Sequence, residues 1–145
     1  MIPTALNLAR PLLLDTCAAI WLMDDAYLSE PAIAALDASG DRGEPLYVSP
    51  YMALEIGMLV SRGRLSMAMS PAQWFRRLLA VPLVTLSELS PEILIASSYL
   101  PGDPPRDPAD RIVIATAREL GFVVMTRDRL ILDYAAKGHV AAIAC

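Results

Sequence analysis

The stretch RDPADRIVIATARELGFVVMTRDRLI, residues 106–131, predicts a helix, a buried strand and the start of a second helix in direct succession. Asp107 and Pro108 are a favourable N-cap and first helical residue, and Gly121 is a typical C-terminal stop for that helix. The run FVVM at 122–125 has the continuous hydrophobicity of a strand that is buried on both faces. Such an order is typical of domains in which helices connect parallel strands.

The same pattern extends to both sides of this stretch. Further short apolar runs predict strands: LLL at 12–14, LYV at 46–48, PLVTL at 82–86 and VAAIA at 140–144. Other helix starts are predicted at Ser49-Pro50, Ser70-Pro71 and Ser90-Pro91, and two helices are expected between residues 50 and 80. We therefore expect a three-layer α/β/α fold with a mainly parallel central sheet of four to five strands. Residues 1–145 are expected to form a single domain, with 1–11 as a short N-terminal extension.

Composition excludes several classes of protein. A hydrophobic share of 55% and a charged share of 19% exclude disordered and low-complexity chains. Charged residues interrupt every apolar window before it reaches the roughly 18 residues of a membrane span. No basic region precedes the apolar N-terminal residues, and two cysteines, Cys17 and Cys145, do not indicate a disulfide framework, so a cytoplasmic protein is expected. A net charge of −4 argues against a protein that coats nucleic acid, although not against an enzyme that acts on it.

Four carboxylates occupy informative positions. Asp15 directly follows the first predicted strand, and Asp128 follows the strand at 122–125. The carboxyl ends of parallel strands meet at one edge of a sheet, where ligands bind, so these two acids are expected to converge. Glu55 and Asp110 fall on apolar helix faces, where an unpaired carboxylate is costly.

Each of these acids also has a purely structural interpretation. Asp15 can be a turn residue at a strand end, Glu55 the partner of a buried arginine, and Asp110 a first-turn acid that the helix dipole stabilises. Asp107 and Asp128 can be helix N-caps. These interpretations leave unexplained why the acids recur at such positions in a small domain with one histidine and one lysine.

Oxygen ligands alone suit Mg²⁺ or Mn²⁺. Zinc requires cysteine or histidine, and His139 and Cys145 have no ligand spacing; His139 is better explained as a surface or strand-start residue. The signatures of serine hydrolases, P-loop proteins and dinucleotide-binding proteins are absent from the sequence. A carboxylate cluster that holds one or two Mg²⁺ ions is suited to the hydrolysis of a phosphodiester.

Four segments together resemble the successive motifs of PIN-domain ribonucleases, most closely the VapC toxins of bacterial type II toxin–antitoxin pairs. They are LLLDT at 12–16, ALEIGMLVSRGRL at 53–65, RDPADRIVIATARELG at 106–121 and VVMTRDRLI at 123–131. The resemblance covers residues 12–143.

The resemblance implies a set of site residues. The catalytic acids are Asp15, Glu55, Asp110 and Asp128, and the metal ligands among them are Asp15, Asp110 and Asp128. Supporting residues are Thr16, Asp107, Arg111 and Thr126. Family members of this variant often carry a histidine shortly before the Asp-Pro pair, where this chain has Pro105 and Arg106, so no role of that histidine is transferred.

The resemblance also implies a function and partners. We expect an Mg²⁺-dependent endoribonuclease, with Mn²⁺ as the alternative ion, that acts on RNA, forms a homodimer and is neutralised by a cognate antitoxin. Side chains available for such contacts are Tyr51, Met67, Met69, Trp74 and Phe75. Trp74 and Phe75 are somewhat better explained as core aromatics of an amphipathic helix. The arginines at 62, 64, 76 and 77 can form a basic patch that faces RNA, a second subunit or the antitoxin.

Two other functions are compatible with parts of the pattern. A haloacid-dehalogenase-like phosphatase also begins with a strand-end aspartate and uses Mg²⁺, but it needs a second aspartate at the position of Cys17. A metal-free PIN-like module that binds RNA or protein would be favoured if one of the four acids were missing, and none is.

Overall fold

The computed structural model describes residues 10–24 and 27–145. Most of the expected N-terminal extension therefore lies outside the described residues. The described chain forms one sheet with the strands β1 (Leu12–Leu14), β2 (Leu46–Val48), β3 (Val84–Leu86), β4 (Val123–Thr126) and β5 (Ala142–Ala144). The strand order is β3-β2-β1-β4-β5, and every neighbouring pair is parallel.

Seven helices are present in the described residues, and they cover both faces of the sheet. They are α1 (Thr16–Met23), α2 (Glu30–Asp41), α3 (Tyr51–Ser61), α4 (Pro71–Ala80), α5 (Pro91–Ala96), α6 (Pro108–Leu120) and α7 (Arg129–Ala136). Side chains from α1 to α4 pack in one hydrophobic core, and side chains from α6 and α7 pack in the other. The expected three-layer α/β/α architecture with a parallel sheet is confirmed.

The alternation of side chains along β1 explains the two cores. Leu12 and Leu14 pack in the core under α1 to α4, whereas Leu13 packs with Ile114 and Tyr134 in the core under α6 and α7. All three leucines of β1 are buried because successive strand residues point to opposite faces and both faces are covered. The continuous apolar runs of the sequence have this physical origin.

Most predicted helix starts are confirmed. Ser70, Ser90 and Asp107 are N-caps, and the Ser70 cap is a full capping box with Gln73. At Ser49 the helix begins one residue later than expected, with Tyr51, whose N–H donates to Ser49 Oγ at 3.1 Å.

Besides β4, which begins at Val123 instead of Phe122 and ends at Thr126, two strands begin later than their apolar runs. The run at 82–86 becomes a strand only from Val84, because Leu83 has a φ of 70° and turns the chain just before it. The run at 140–144 contributes only its last part, from Ala142 onward. Both differences shorten strands at their amino ends and leave the carboxyl edge of the sheet as predicted.

The interpretation of Trp74 as a core residue is confirmed, because its side chain is 5% exposed and packs in the core with Leu78. Phe75 is partly buried against the same core, as are Met67 and Met69. The arginines at 62, 64, 76 and 77 are exposed. Across residues 10–24 and 27–145, no helix has both the length and the apolar character that crossing a membrane requires.

Candidate active site

The carboxyl ends of β1 and β4 bring the first two acids together. The two strands pair with Leu14 opposite Met125, and the Asp15 N–H donates to the Met125 carbonyl at 3.1 Å. A cavity of about 220 Å³ lies at this edge and is lined by five acids: Asp15, Glu55, Asp107, Asp110 and Asp128. Its other lining residues are Thr16, Cys17, Ala109, Val113 and Arg127. All four acids that we expected to be catalytic therefore line one cavity.

Three of the five acids are also N-caps of helices. Asp15 Oδ1 accepts the Ala18 N–H at 2.8 Å, and Asp128 Oδ1 accepts the Leu130 N–H at 2.8 Å. Asp107 caps α6. Capping uses one oxygen of each carboxylate and fixes its orientation, so the structural and the chemical interpretations of these residues are compatible. The amino-terminal ends of α1, α6 and α7 thus meet around the cavity.

Two threonine hydroxyls hold the acids between elements. Thr126 Oγ1 donates to Asp15 Oδ2 and accepts the Asp128 N–H at 2.9 Å, so one buried side chain links both strand-end acids. Thr16 Oγ1 donates to Glu55 Oε1 and connects α1 to α3. Both threonines thus hydrogen-bond acids of the cavity, and the supporting role that the resemblance implied for them stays a prediction.

Glu55 lies at the border of the apolar face of its helix. The buried residues of α3 are Met52 and Ile56, and Glu55 is half-buried beside them. Its hydrogen-bond partner is Thr16, and in the described part of the chain it forms no ion pair with an arginine. The alternative that Glu55 neutralises a buried arginine is therefore wrong.

Burial and mutual repulsion raise the pKa values of three acids. Desolvation is the main cause of the raised pKa of Asp110, about 7, and the nearby carboxylates of Asp128 and Asp107 raise it further. Desolvation also raises the pKa of Asp15 to about 6, although the hydrogen bonds from Thr126 and Ala18 oppose this shift. Burial likewise raises the pKa of Glu55. The cavity disfavours its own negative charge and would gain stability from a bound cation.

Two expected site residues do not line this cavity: Thr126, whose hydroxyl bonds Asp15 and Asp128 beside it, and Arg111. The Arg111 Nε donates to the Pro105 carbonyl at 2.7 Å, and its Nη1 donates to the Ser97 carbonyl at 3.5 Å. These bonds tie α6 to the preceding loop, so Arg111 supports the helix that carries Asp110. His139 does not line the cavity, and its ring is tilted by 31° against the Tyr134 ring, with 4.7 Å between ring centroids.

Sequence reasoning missed Arg127. It is the only basic side chain among the described residues that line the cavity. Its position between Thr126 and Asp128, directly after a buried strand, was the signal that could have identified it.

The number of carboxylates in the cavity suggests a metal ion held by three of them, but their positions fit an ion held by fewer. Among the described residues, no three histidine, cysteine, aspartate or glutamate side chains are placed so that they could hold one metal ion together. The expected trio of Asp15, Asp110 and Asp128 is thus not assembled as a three-carboxylate cage. Mg²⁺ usually keeps several waters and binds through one or two carboxylates. Within the described residues, the acids of this cavity form no ion pair with a base, and their hard oxygen donors fit such a hydrated ion.

Thr126→Val is expected to lower activity by about 10- to 100-fold, because the variant loses the hydroxyl that orients both Asp15 and Asp128. Losing a hydrogen bond that lowers the pKa of Asp15 also raises that pKa further. The rate is measured from pH 6 to 9, where its dependence should move to higher pH. The matched control is Thr116→Val, since Thr116 is equally buried and donates to the Ile112 carbonyl at 2.7 Å, away from the site. Equal losses in both variants would contradict a specific role of Thr126.

A parallel α/β/α sheet with acids gathered at its carboxyl edge defines the class of protein. The family model of the PIN domain matches residues 12–137, and the chain belongs to this family. The expectation drawn from the sequence motifs is confirmed at the level of the family.

Individual relatives are similar over most of the chain. "Ribonuclease VapC22" of Mycobacterium tuberculosis is 29% identical over 119 residues, which are 81% of this chain and 86% of the relative. The solved VapBC2 of Rickettsia felis, bound to a promoter DNA fragment, aligns with a TM-score of 0.64 at 9% identity over 92% of this chain and 97% of that one. A toxin–antitoxin complex from Klebsiella pneumoniae aligns with a TM-score of 0.59 at 20% identity over 91% and 95% of the two chains. At these identities the two structures establish the shared fold.

Proposed function

We propose that this chain is a metal-dependent endoribonuclease toxin that hydrolyses phosphodiester bonds in RNA. The observation that carries the proposal is the convergence of five acids from four separate parts of the chain in one cavity of about 220 Å³. Raised pKa values for three of these acids are typical of a site that works with a cation or a proton. The similarity to a relative named as a ribonuclease supports RNA as the substrate.

The residue roles follow from how each acid is held. Asp15 and Asp128 have one capping oxygen each, which orients their second oxygens, and we assign them to an Mg²⁺ or Mn²⁺ ion. Because the described carboxylates do not form a three-ligand cage, we assign Asp110 to a second ion or to a water ligand of the first, and Glu55 completes the ring of negative charge. When bound, the ion would lower the pKa of a water molecule and stabilise the leaving oxygen of the phosphodiester. Near neutral pH a proton competes for Asp110, whose pKa is about 7.

Removal of divalent ions is expected to abolish cleavage of a single-stranded RNA. The purified protein is treated with EDTA, the rate is measured, and Mg²⁺ or Mn²⁺ is then added back. We expect the rate to fall to background and to return with either ion, because the acids alone cannot activate water. Ca²⁺ is the control ion, because it has the same charge as Mg²⁺ but prefers more ligands. Cleavage that persists at full rate in EDTA would contradict a metal-dependent mechanism.

We further propose a cognate antitoxin and a second copy of this chain as partners. One of the two solved structures that share the fold is by name a toxin–antitoxin complex, which supports an inhibitory partner for this chain. Several large apolar side chains on and after α5 are exposed, as a subunit interface requires: Leu94, Ile95 and Tyr99. The exposed arginines that follow α3, at 62 and 64, and those on α4, at 76 and 77, suit an acidic segment of either partner. A cytoplasmic location and a single domain over the chain accord with this role.

The alternative functions have less support. Cys17 lines the cavity where a haloacid-dehalogenase-like phosphatase would place its second aspartate. A metal-free binding module would not need Asp110 at a place where desolvation, and then the neighbouring carboxylates, raise its pKa to about 7.

A further inference from the structure

Arg127 is held in an unusual position at the rim of the acidic cavity. Its guanidinium carbon lies 3.1 Å from the centroid of the Trp21 ring, a close cation–π stack. Its Nη2 donates to the Tyr27 carbonyl at 3.0 Å. These two contacts, from α1 and the segment that follows it, fix the guanidinium plane while the side chain lines the cavity.

This arginine does not neutralise the acids beside it. In the part of the chain that the structure describes, it forms no ion pair with any of the cavity carboxylates. Its Nε is buried and has no hydrogen-bond partner among the described residues. A half-buried cation next to acids, such as Arg127, is ordinarily stabilised by pairing with them. Here the stack on Trp21 holds the charge to one side, so that it remains available to an anion that enters the cavity.

The surroundings of Arg127 suit a nucleic acid strand. The Tyr27 side chain is 78% exposed next to the carbonyl that anchors the guanidinium. An arginine fork that can grip a phosphate beside an exposed aromatic ring that can stack a base is the combination by which proteins bind single-stranded RNA. Acids alone would repel the strand, and this rim offers the opposite charge.

We propose that Trp21, Tyr27 and Arg127 form a subsite for the nucleotide next to the bond that is cut. Arg127 binds the phosphate of that nucleotide, Trp21 keeps the guanidinium oriented, and Tyr27 stacks on the base. This inference rests on the proposed ribonuclease function. It predicts that the three residues act on substrate binding and leave the chemical step to the acids.

The test is steady-state cleavage of a short single-stranded RNA, with kcat and KM measured separately. Arg127→Gln is expected to raise KM by about 10-fold or more, because a charge-assisted hydrogen bond to phosphate is lost, and to change kcat by less than about 3-fold. The slope of log KM against the logarithm of the salt concentration should decrease by the amount that about one phosphate contact contributes. Tyr27→Ala should raise KM by about 5-fold or more, whereas Tyr27→Phe should not. Arg42→Gln, at an exposed position after α2, is the matched control for the lost charge.

The design separates the subsite from the reaction. Fluorescence anisotropy of labelled RNA on Asp15→Asn protein, with and without Arg127→Gln, measures binding without cleavage. Because Tyr27 is exposed, Tyr27→Ala remains informative even where a change at Arg127 unfolds the chain. If cleavage does not require Asp15, the proposed function fails. If cleavage requires Asp15 but KM and Kd stay within twofold in the Arg127 and Tyr27 variants, or if kcat alone falls, the subsite is overturned.

Discussion

Asp15→Asn is expected to lower the rate of RNA cleavage by at least about 100-fold while the protein stays folded. The asparagine retains an oxygen that can cap α1 through the Ala18 N–H, so the helix start survives. The substitution removes the negative charge at the point where β1 and β4 meet. If the asparagine NH₂ group faces Thr126, it also cannot accept the hydrogen bond that the Thr126 hydroxyl donates to Asp15. Since burial already raises the pKa of Asp15 to about 6, losing the charge carries no stability cost at pH 8.

Initial rates at saturating Mg²⁺ on one RNA substrate measure this effect, and circular dichroism verifies the fold. Asp37→Asn is the matched control, because Asp37 is an exposed acid on α2 and the change in charge is identical. We expect the control to cleave at the wild-type rate. A rate for Asp15→Asn within tenfold of wild type would remove Asp15 from the reaction centre.

The convergence of strand-end acids was predictable because parallel strands end at one edge. In a repeated βα pattern the next helix begins at that same edge, so its N-cap and a ligand at the strand end occupy the same place. Asp15 and Asp128 show this directly, since each caps a helix and lines the cavity. The sequence left open whether these aspartates cap helices or belong to the site. At such positions the two alternatives do not exclude each other, because one carboxylate can do both.

The contacts that hold Arg127 at the cavity could not be predicted, because they join distant parts of the chain. The bond from Arg127 to the Tyr27 carbonyl joins residues 100 positions apart, and the stack on Trp21 needs the exact placement of α1 on the sheet. The distance between carboxylates is similarly a result of helix packing. Periodicity placed Glu55 on an inward helix face, but only the packing of α1 against α3 provides its partner, Thr16.

Asp110→Asn is expected to have opposite effects on stability and activity. Without metal at pH 8, we expect the variant to melt roughly 3–6 °C above the wild-type protein, because it no longer holds a desolvated charge among other carboxylates. The loss of a first-turn acid opposes this gain, since the helix dipole stabilises such an acid by about 0.3–1 kcal/mol. Burial dominates, because desolvation is the main cause of a shift to a pKa of about 7. Cleavage should fall by at least about 10-fold.

The dependence of Tm on pH tests independently whether the charge of Asp110 destabilises the folded protein. The pKa of Asp110 is about 7 in the folded protein and near the ordinary 3.8 in the unfolded chain, so the folded state binds more protons between these values. Stability from this group is complete below pH 4 and is lost as the pH rises through 7. The advantage of Asp110→Asn in Tm should therefore be largest at pH 8 and disappear near pH 4.

Thermal melts of the EDTA-treated proteins between pH 4 and pH 8 measure this dependence. Glu30→Gln is the control, because Glu30 is an exposed acid in the first turn of α2 and should cost rather than add stability. Saturating Mg²⁺ should reverse the order of Tm at pH 8, because an ion that binds the folded wild-type site adds stability that the variant loses. A lower Tm for Asp110→Asn in EDTA at pH 8 would mean that the residue serves α6 and not the site.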